Sequence, residues 1–494
     1  LSRILYDNKK SKNVIQEFFK NKTKGIKMNA VKEFFTKQSI KHGMRTFSRL
    51  SDKNLIRVAN LGKKIARERE AKIISDLTEK WEQDHPSAIL IKKLLKGLNK
   101  KCLDGVSKNL IFNAFIHGGK KREKVEKETG RLYPFFIVIS PTMRCNLRCI
   151  GCYAGEYTQK DDLDFETVDR VIEEAKSLGM YFFTITGGEP YSWSDLLKIF
   201  ETHNDCFFQT YTNGTLITKE LAKKLAKLGN VVPAISVEGF EKETNERRGD
   251  GVYKKICQAM DNLKEEGVGF GFSATPTKIN SDLLITDEFL DFYIEKGCYF
   301  GWFFQYIPIG LKPDINLMAT PEQREKLRVK IREWRGKKPI FIGDFWNDGP
   351  YVYGCLAGAR RGGYLHINCK GDVEPCVFVH FAVDNIKNKT LKEVMQSDFF
   401  EAIRKRRPYD VDGNLLLPCM IIDNPQTLRD VVKETGACPT HNGAETIIKD
   451  PRITKHLDNY SKEWKKIADK AWKKDFPYLV EINKKKAEAS HKNL

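Results

Sequence analysis

The sequence predicts an α/β chain: a partial (β/α)6 barrel behind a helical N-terminal region, followed by an irregular, cysteine-rich extension. Three observations predict it. From Phe135 onward, short apolar runs alternate with amphipathic stretches roughly every 30 residues, the rhythm of a parallel sheet with right-handed crossovers. Before Phe135 the apolar residues recur at helical spacing among Lys and Arg. After Trp346 the rhythm stops, and Gly, Pro and Cys punctuate the chain.

Residues 1–130 read as a basic helical domain. Val14, Phe18 and Phe19 share one helical face, as do Val31, Phe34 and Phe35, then Leu55, Val58 and Ala59. A second helical block runs over 88–115, and Gly118-Gly119 with the charged segment after it reads as a linker. Residues 131–345 carry six strand–helix units, with strands at FFIVIS (135–140), YFFTIT (181–186), FFQTY (207–211), VVPAIS (231–236), FGFSAT (270–275) and FGWFFQYI (300–307). Six units are too few for a closed eight-stranded barrel and suit an open three-quarter one, whose ligands bind at the carboxyl ends of the strands. Residues 346–445 contain a hairpin, Tyr364–Asn368 and Val373–Val377, around Lys370-Gly371-Asp372. Residues 446–494 form a basic helical tail with Trp464, Ile467, Ala468, Ala471 and Trp472 on one face.

The 494 residues, 41% hydrophobic and 30% charged, have ordinary globular composition. No apolar run approaches the roughly 20 residues that span a bilayer. Lys interrupts the first apolar residues, so no export signal is expected. Twelve cysteines without such a signal read as reduced thiols of a cytoplasmic, anaerobic protein. The net charge of +20 sits at the ends, with +13 in residues 1–70 and +6 in 452–494. A solvated helix face, nucleic acid and an anionic membrane are the three readings. Nucleic acid lacks a recognition motif, whereas Phe and Val among Lys fit an interfacial helix at the inner face of the membrane.

The chemistry is concentrated after the first strand. Cys145, Cys149 and Cys152 stand at C-x3-C-x2-C. Three thiolates can hold three irons of a [4Fe–4S] cube and leave one iron open for a ligand. Zinc is the alternative, but it prefers paired C-x2-4-C ligands totalling four.

This stretch resembles the signature of the radical S-adenosylmethionine (radical SAM) enzymes, over about 131–340 with further similarity to about 440. The family places C-x3-C-x2-C after the first strand of a partial (β/α)6 barrel. By resemblance, Gly187-Gly188-Glu189-Pro190 after the second strand holds the SAM methionyl amino group. Thr212 and Asn213 close the third strand, Ser236 and Glu238 after the fourth face the SAM ribose and carboxylate, and Arg248 pairs with that carboxylate. Gly151 departs from the family, many of whose members carry an aromatic residue there; Tyr153 follows the third cysteine instead and joins the cofactor-binding candidates. The implied chemistry is reductive cleavage of SAM to a 5′-deoxyadenosyl radical that takes hydrogen from an unreactive C–H bond. It implies a reducing partner such as ferredoxin or flavodoxin.

Cys355-x15-Gly371-x4-Cys376 resembles the opening of a SPASM or Twitch extension, with Cys419 and Cys438 as third and fourth ligands of an auxiliary [4Fe–4S] cluster. The full SPASM ending is absent, Cys369 reads as structural, and buried thiols throughout are the alternative. Asp344–Gly349 and Val373–Cys376 also resemble bacterial and archaeal radical SAM proteins, some of whose relatives join lipid tails. The expected substrate is therefore a membrane lipid chain, undergoing C–C coupling. The alternatives are a ribosomal-peptide maturase and a non-catalytic metal-binding scaffold. No catalytic side chain beyond the clusters stands out.

Overall fold

Four of the barrel helices start at a side chain that caps them. Asp164 accepts from the Thr167 amide, Thr218 from Leu221, Thr286 from Phe289 and Thr320 from Gln323, which satisfies backbone donors that the first turn leaves free. The computed structural model describes residues 25–63, 75–76, 78–154, 161–310 and 312–483. The helix read around Val14, Phe18 and Phe19 lies outside them, as do the side chains of Val31, Phe34, Phe35, Leu55 and Val58.

The main sheet has β1 (Phe136–Ile139), β2 (Phe182–Ile185), β3 (Phe207–Thr212), β4 (Val231–Val237), β5 (Gly271–Ala274), β6 (Phe300–Phe303) and β7 (Phe341–Asp344), each parallel to the next. β8 (Tyr364–Ile367) lies parallel on the other side of β1, and β9 (Val373–Glu374) folds back antiparallel on β8. The sheet order is β7-β6-β5-β4-β3-β2-β1-β8-β9. A partial barrel was expected, but with six strands. Sequence pattern missed β7 because its apolar run, Ile340 to Ile342, is only three residues long before Gly343 and Asp344. The expected hairpin is β8–β9, and it extends the barrel sheet instead of standing apart from it.

Alternation along the strands sorts the side chains. Ile137, Ile139, Phe183, Ile185, Phe208 and Ile235 are buried under the helices, while Phe136, Val138, Phe182, Thr184, Gln209 and Tyr211 turn to the concave side. Phe136 is in register with Phe182 on one side and Tyr364 on the other.

Helices at Pro86–Gly97 and Lys100–Gly105 continue into a π-helical segment, Val106–His117, and then the helix Gly118–Thr129. The stretch read as a linker is therefore helical. Leu95, Leu98, Cys102, Leu103 and Ala114 share the barrel's core, and Asn99 Nδ2 donates to Glu266 O at 2.8 Å. Gly118 fits because a Cβ there would press into Gly179 O and Asn113 O.

A second core unites the extension with the C-terminal helix Pro451–Asp475. The tail's apolar face, with Trp464 fully buried and Trp472 nearly so, is used inside the protein and is not a free membrane-facing stripe. Arg324, from the helix Pro321–Arg335, stacks on Trp464 at 4.1 Å and pairs with Asp423 at 2.5 Å, both ions fully buried. Among the described residues no helix is long and apolar enough to cross a membrane.

Candidate functional site

The loop after β1 is held from three sides. Arg144 pairs with Asp162 (2.6 Å), which also accepts from Thr142 Oγ1 (2.6 Å). The amides of Gly188 and Glu189 donate to Thr142 O and Arg144 O at 3.1 and 2.8 Å. Two glycines are required here: Gly187 has φ +126°, and a Cβ at Gly188 would press into Met143 O and Arg144 O. On the far side Ile150 N donates to Arg247 O (2.9 Å) and Arg247 Nε returns a bond to Ile150 O (3.1 Å).

Within this frame Cys145, Cys149 and Cys152 line a cavity of about 610 Å³, together with Tyr153, Gly187, Gly188, Thr212, Asn213, Ser236 and Arg248. Glu189, Pro190 and Glu238 are buried and do not line it. Glu189 accepts from Thr212 Oγ1 (2.7 Å), Asn213 N (2.8 Å) and Tyr191 N (3.1 Å), so it ties the β2 loop to the end of β3. Burial pushes its carboxyl up to about 7, against those three donors. Glu238 pairs with both Arg247 and Arg248 at 2.5 Å. The two carboxylates therefore position the residues that face the cavity. Tyr153 Oη donates to Gly187 O at 3.2 Å, and its ring meets Phe378 and His380 of the extension, with centroids 5.8 and 6.2 Å apart.

Sequence reasoning missed Arg247, which touches both the cysteine loop and Glu238; its only signal was the doubled arginine before Gly249. It also missed the aromatic inward residues and Gln305, whose Nε2 is buried without a partner beside the cavity.

The second thiol group is assembled by the extension. Cys355 and Cys419 are close enough to push the Cys376 thiol up, and Cys355 does the same to Cys419, although burial is the larger cause and takes Cys419 up to about 12. Tyr364 and Tyr409 feel the same thiols. Each sulfur accepts from the amide two residues on: Ala357 N (3.4 Å), Phe378 N (3.3 Å) and Ile421 N (3.3 Å). Leu147 N does the same for Cys145 at 3.4 Å. Cys438 is apart. It is exposed on the two-residue strand β11 (Cys438–Pro439), paired with β10 (Phe381–Ala382), and its surroundings are Asp372, Ala382 and Gly436. Cys369 is buried.

These residues fit iron–sulfur clusters. Among the described residues no three His, Cys, Asp or Glu converge on the point a single metal ion would take, as mononuclear zinc requires. Thiolates that each take a separate iron need no such convergence, and amide N–H···S bonds are the usual surroundings of cluster sulfurs. Burial pushes the Cys145 and Cys149 thiols up, so binding a cluster through their thiolates would release protons.

The fold carries a radical SAM domain followed by an iron–sulfur cluster-binding extension, domains that imply a [4Fe–4S] cluster, SAM and an auxiliary cluster. Residues 139–286 match the radical SAM superfamily, and 355–434 match SPASM, an iron–sulfur cluster-binding domain. The chain is similar to Fe-coproporphyrin III synthase of Methanosarcina barkeri, 29% identical over 44% of this chain and 57% of that one. It is also similar to mycofactocin maturase MftC of Mycolicibacterium smegmatis, 29% identical over 56% and 74%. It thus spans little more than half of the former relative's length. Among solved structures, Streptococcus suis SuiB aligns with a TM-score of 0.49 and 21% identity, over 58% of this chain and 72% of that one.

Proposed function

We propose that this enzyme cleaves SAM reductively and uses the 5′-deoxyadenosyl radical to take a hydrogen atom from an unreactive C–H bond. One observation carries the reading: the three loop cysteines, the Gly187-Gly188 cradle and Arg248 all border one cavity. Bound there, the cluster and SAM supply one electron and the radical. The residues supply placement. Carbonyls of the glycine turn accept from an ammonium, Arg248 answers a carboxylate, and Ser236 and Asn213 offer hydrogen bonds to what lies between. Aromatic walls exclude water from a radical that any stray donor would quench.

The fourth position of the auxiliary set stays open on this reading, with Cys355, Cys376 and Cys419 as its ligands; Cys438 is too exposed and separate to serve. The electron comes from a small reducing protein such as ferredoxin or flavodoxin. Anaerobic reconstitution with iron and sulfide, then dithionite and SAM, should yield 5′-deoxyadenosine; its absence from a cluster-loaded preparation would sink the reading.

For the substrate we favour a lipid hydrocarbon chain, coupled or otherwise modified at carbon, because the cavity away from the cysteines is aromatic. Membrane contact then falls to residues 1–70, since the C-terminal helix buries its apolar face. Anionic liposomes should retain the full chain at low salt and release it when 1–70 are deleted. A second reading, maturation of a ribosomal peptide, is supported by the similarity to mycofactocin maturase. Lipid extracts and small peptides from an expressing host discriminate the two by mass.

A further inference from the structure

The cavity has two unlike halves. Among the described residues Arg247 and Arg248 are its only charged lining residues, and both are at the cluster end; no Lys, Asp or Glu lines it. Away from that end the strands turn Phe136, Phe182, Trp302, Phe341 and Tyr364 inward, and helix 106–117 adds Leu110 and Phe115. The rings pack on one another: Phe136 on Tyr364 at 5.0 Å, Phe135 on Phe182 at 5.8 Å, Trp302 on Phe341 at 5.8 Å. Gly343 is part of this wall, because a Cβ there would run into the Trp302 ring.

This half reaches the surface. Phe115 and Phe341 line the cavity yet are 58% and 55% exposed. Both stand toward the amino ends of the strands, and four residues of strand, about 13 Å, separate that level from the cysteine loops. Phe115 also meets Phe135 at 5.0 Å, so the rim and the bore are continuous.

We propose that the barrel is bored through, and that one linear hydrocarbon chain enters tail-first at the Phe115–Phe341 mouth, leaving its polar head outside. The inference rests on the C–H-activating reading above and adds the route and the end of the chain that reacts. Chemistry selects the occupant. A peptide backbone in this half would find only Thr184, Gln209 and Ser273 to answer it, with Gln209 Nε2 already turned to Tyr211 Oη (3.4 Å), and every further amide would stay unpaired at about 1–3 kcal/mol. A methylene chain asks for no hydrogen bonds and gains from every ring it covers. The carbons that reach the cluster end are those far from the head, so hydrogen should be taken near the chain's tail.

The test uses the reconstituted full chain and a fluorescent fatty acid, 11-(dansylamino)undecanoic acid. Its emission should rise on binding and be displaced by palmitate; phosphatidylglycerol vesicles form a second arm that tells a membrane acyl chain from a free one. Phe341→Asp and Phe115→Asp place a charge at the mouth and should each weaken binding by about tenfold or more, with iron content and circular dichroism unchanged. Gly343→Ala should weaken it from inside by shifting Trp302. Leu132→Asp, equally exposed but outside the lining, should leave both binding and SAM cleavage as they are. No binding, equal binding by the mouth variants, or displacement by an aromatic peptide but not by palmitate would each overturn the bore. SAM cleavage by the wild type without substrate is scored separately: its presence with no chain binding condemns only the bore, and its absence condemns the reaction.

Discussion

Cys145, Cys149 and Cys152 occupy a single loop, while Cys355, Cys376 and Cys419 come from three distant segments, yet four of these six sulfurs accept the amide two residues ahead. The same local turn is therefore used in two different settings. The first group stands at the mouth of strand β1, partly open, with Cys152 exposed. The second, with Cys376 buried and Cys355 and Cys419 half-buried, lies by Tyr364 and is anchored through Asp423, which accepts from Cys419 N at 3.0 Å and is paired with Arg324 of the barrel. The loop set is a nearly self-contained ligand with its neighbours trimming the geometry. The dispersed set exists only once barrel, extension and C-terminal helix have closed on one another.

Replacing either set separates the two most sharply. Cys145, Cys149 and Cys152 changed together to Ala should abolish 5′-deoxyadenosine formation entirely. The matching change at Cys355, Cys376 and Cys419 should remove about half the iron but leave SAM cleavage measurable. Iron analysis and chromatography of the nucleoside read both; equal loss of cleavage would erase the distinction.

Dependence on closure is probed next by Arg324→Met. It leaves Asp423 as an unpaired buried carboxylate, which typically costs about 3–5 kcal/mol, and it loosens the turn that carries Cys419. The denaturant midpoint should fall and auxiliary iron should fall with it. Arg247→Met should cost less, because Glu238 keeps Arg248, and should spare the auxiliary iron.

The extension that carries the dispersed set has a pH effect of its own. Burial, opposed by Glu374, lowers the His380 imidazole to about 4, while an unfolded imidazole titrates near 6.5. The unfolded chain thus binds more protons between these values. Stability is full above about pH 6.5 and is lost as pH falls toward 4, by about 3 kcal/mol in all. Urea midpoints of the metal-free protein at pH 7 and 4.5 should show this loss, and His380→Gln should flatten it.

How much of this was legible follows the same division. The C-x3-C-x2-C spacing, the GGEP turn and the strand rhythm are local, and reading them in order reached the partial barrel and the loops that border its cavity. Long-range pairing was not legible. Nothing near Tyr364 says that its strand will lie beside β1, and nothing near Cys419 or Cys438 says which of them meets Cys376. Resemblance of the strand-end motifs is what assigns Glu189 and Glu238 to SAM. Their burial behind Thr212, Asn213 and two arginines depends on the packed fold. The aromatic lining was visible as apolar strand residues, but which of them face inward is a matter of register.

The smallest expected effect sharpens the comparison at the loop set. Asn213 Nδ2 donates to Asn146 Oδ1 at 2.8 Å and lies 3.7 Å from Cys145 Sγ, while its backbone amide serves Glu189. Asn213→Ala removes the side-chain bonds and keeps the backbone one, so the cradle should persist at a cost of about 1 kcal/mol. A donor to a cluster sulfur favours the more negative, reduced form, so its loss should move the loop cluster to a lower potential. The auxiliary cluster, whose sulfurs take their bonds from Ala357, Phe378 and Ile421, should not move. Redox titration followed by electron paramagnetic resonance reads the two separately. If both potentials fell together, the change would be transmitted through the fold, and the loop set would not be the self-contained ligand its hydrogen bonds describe.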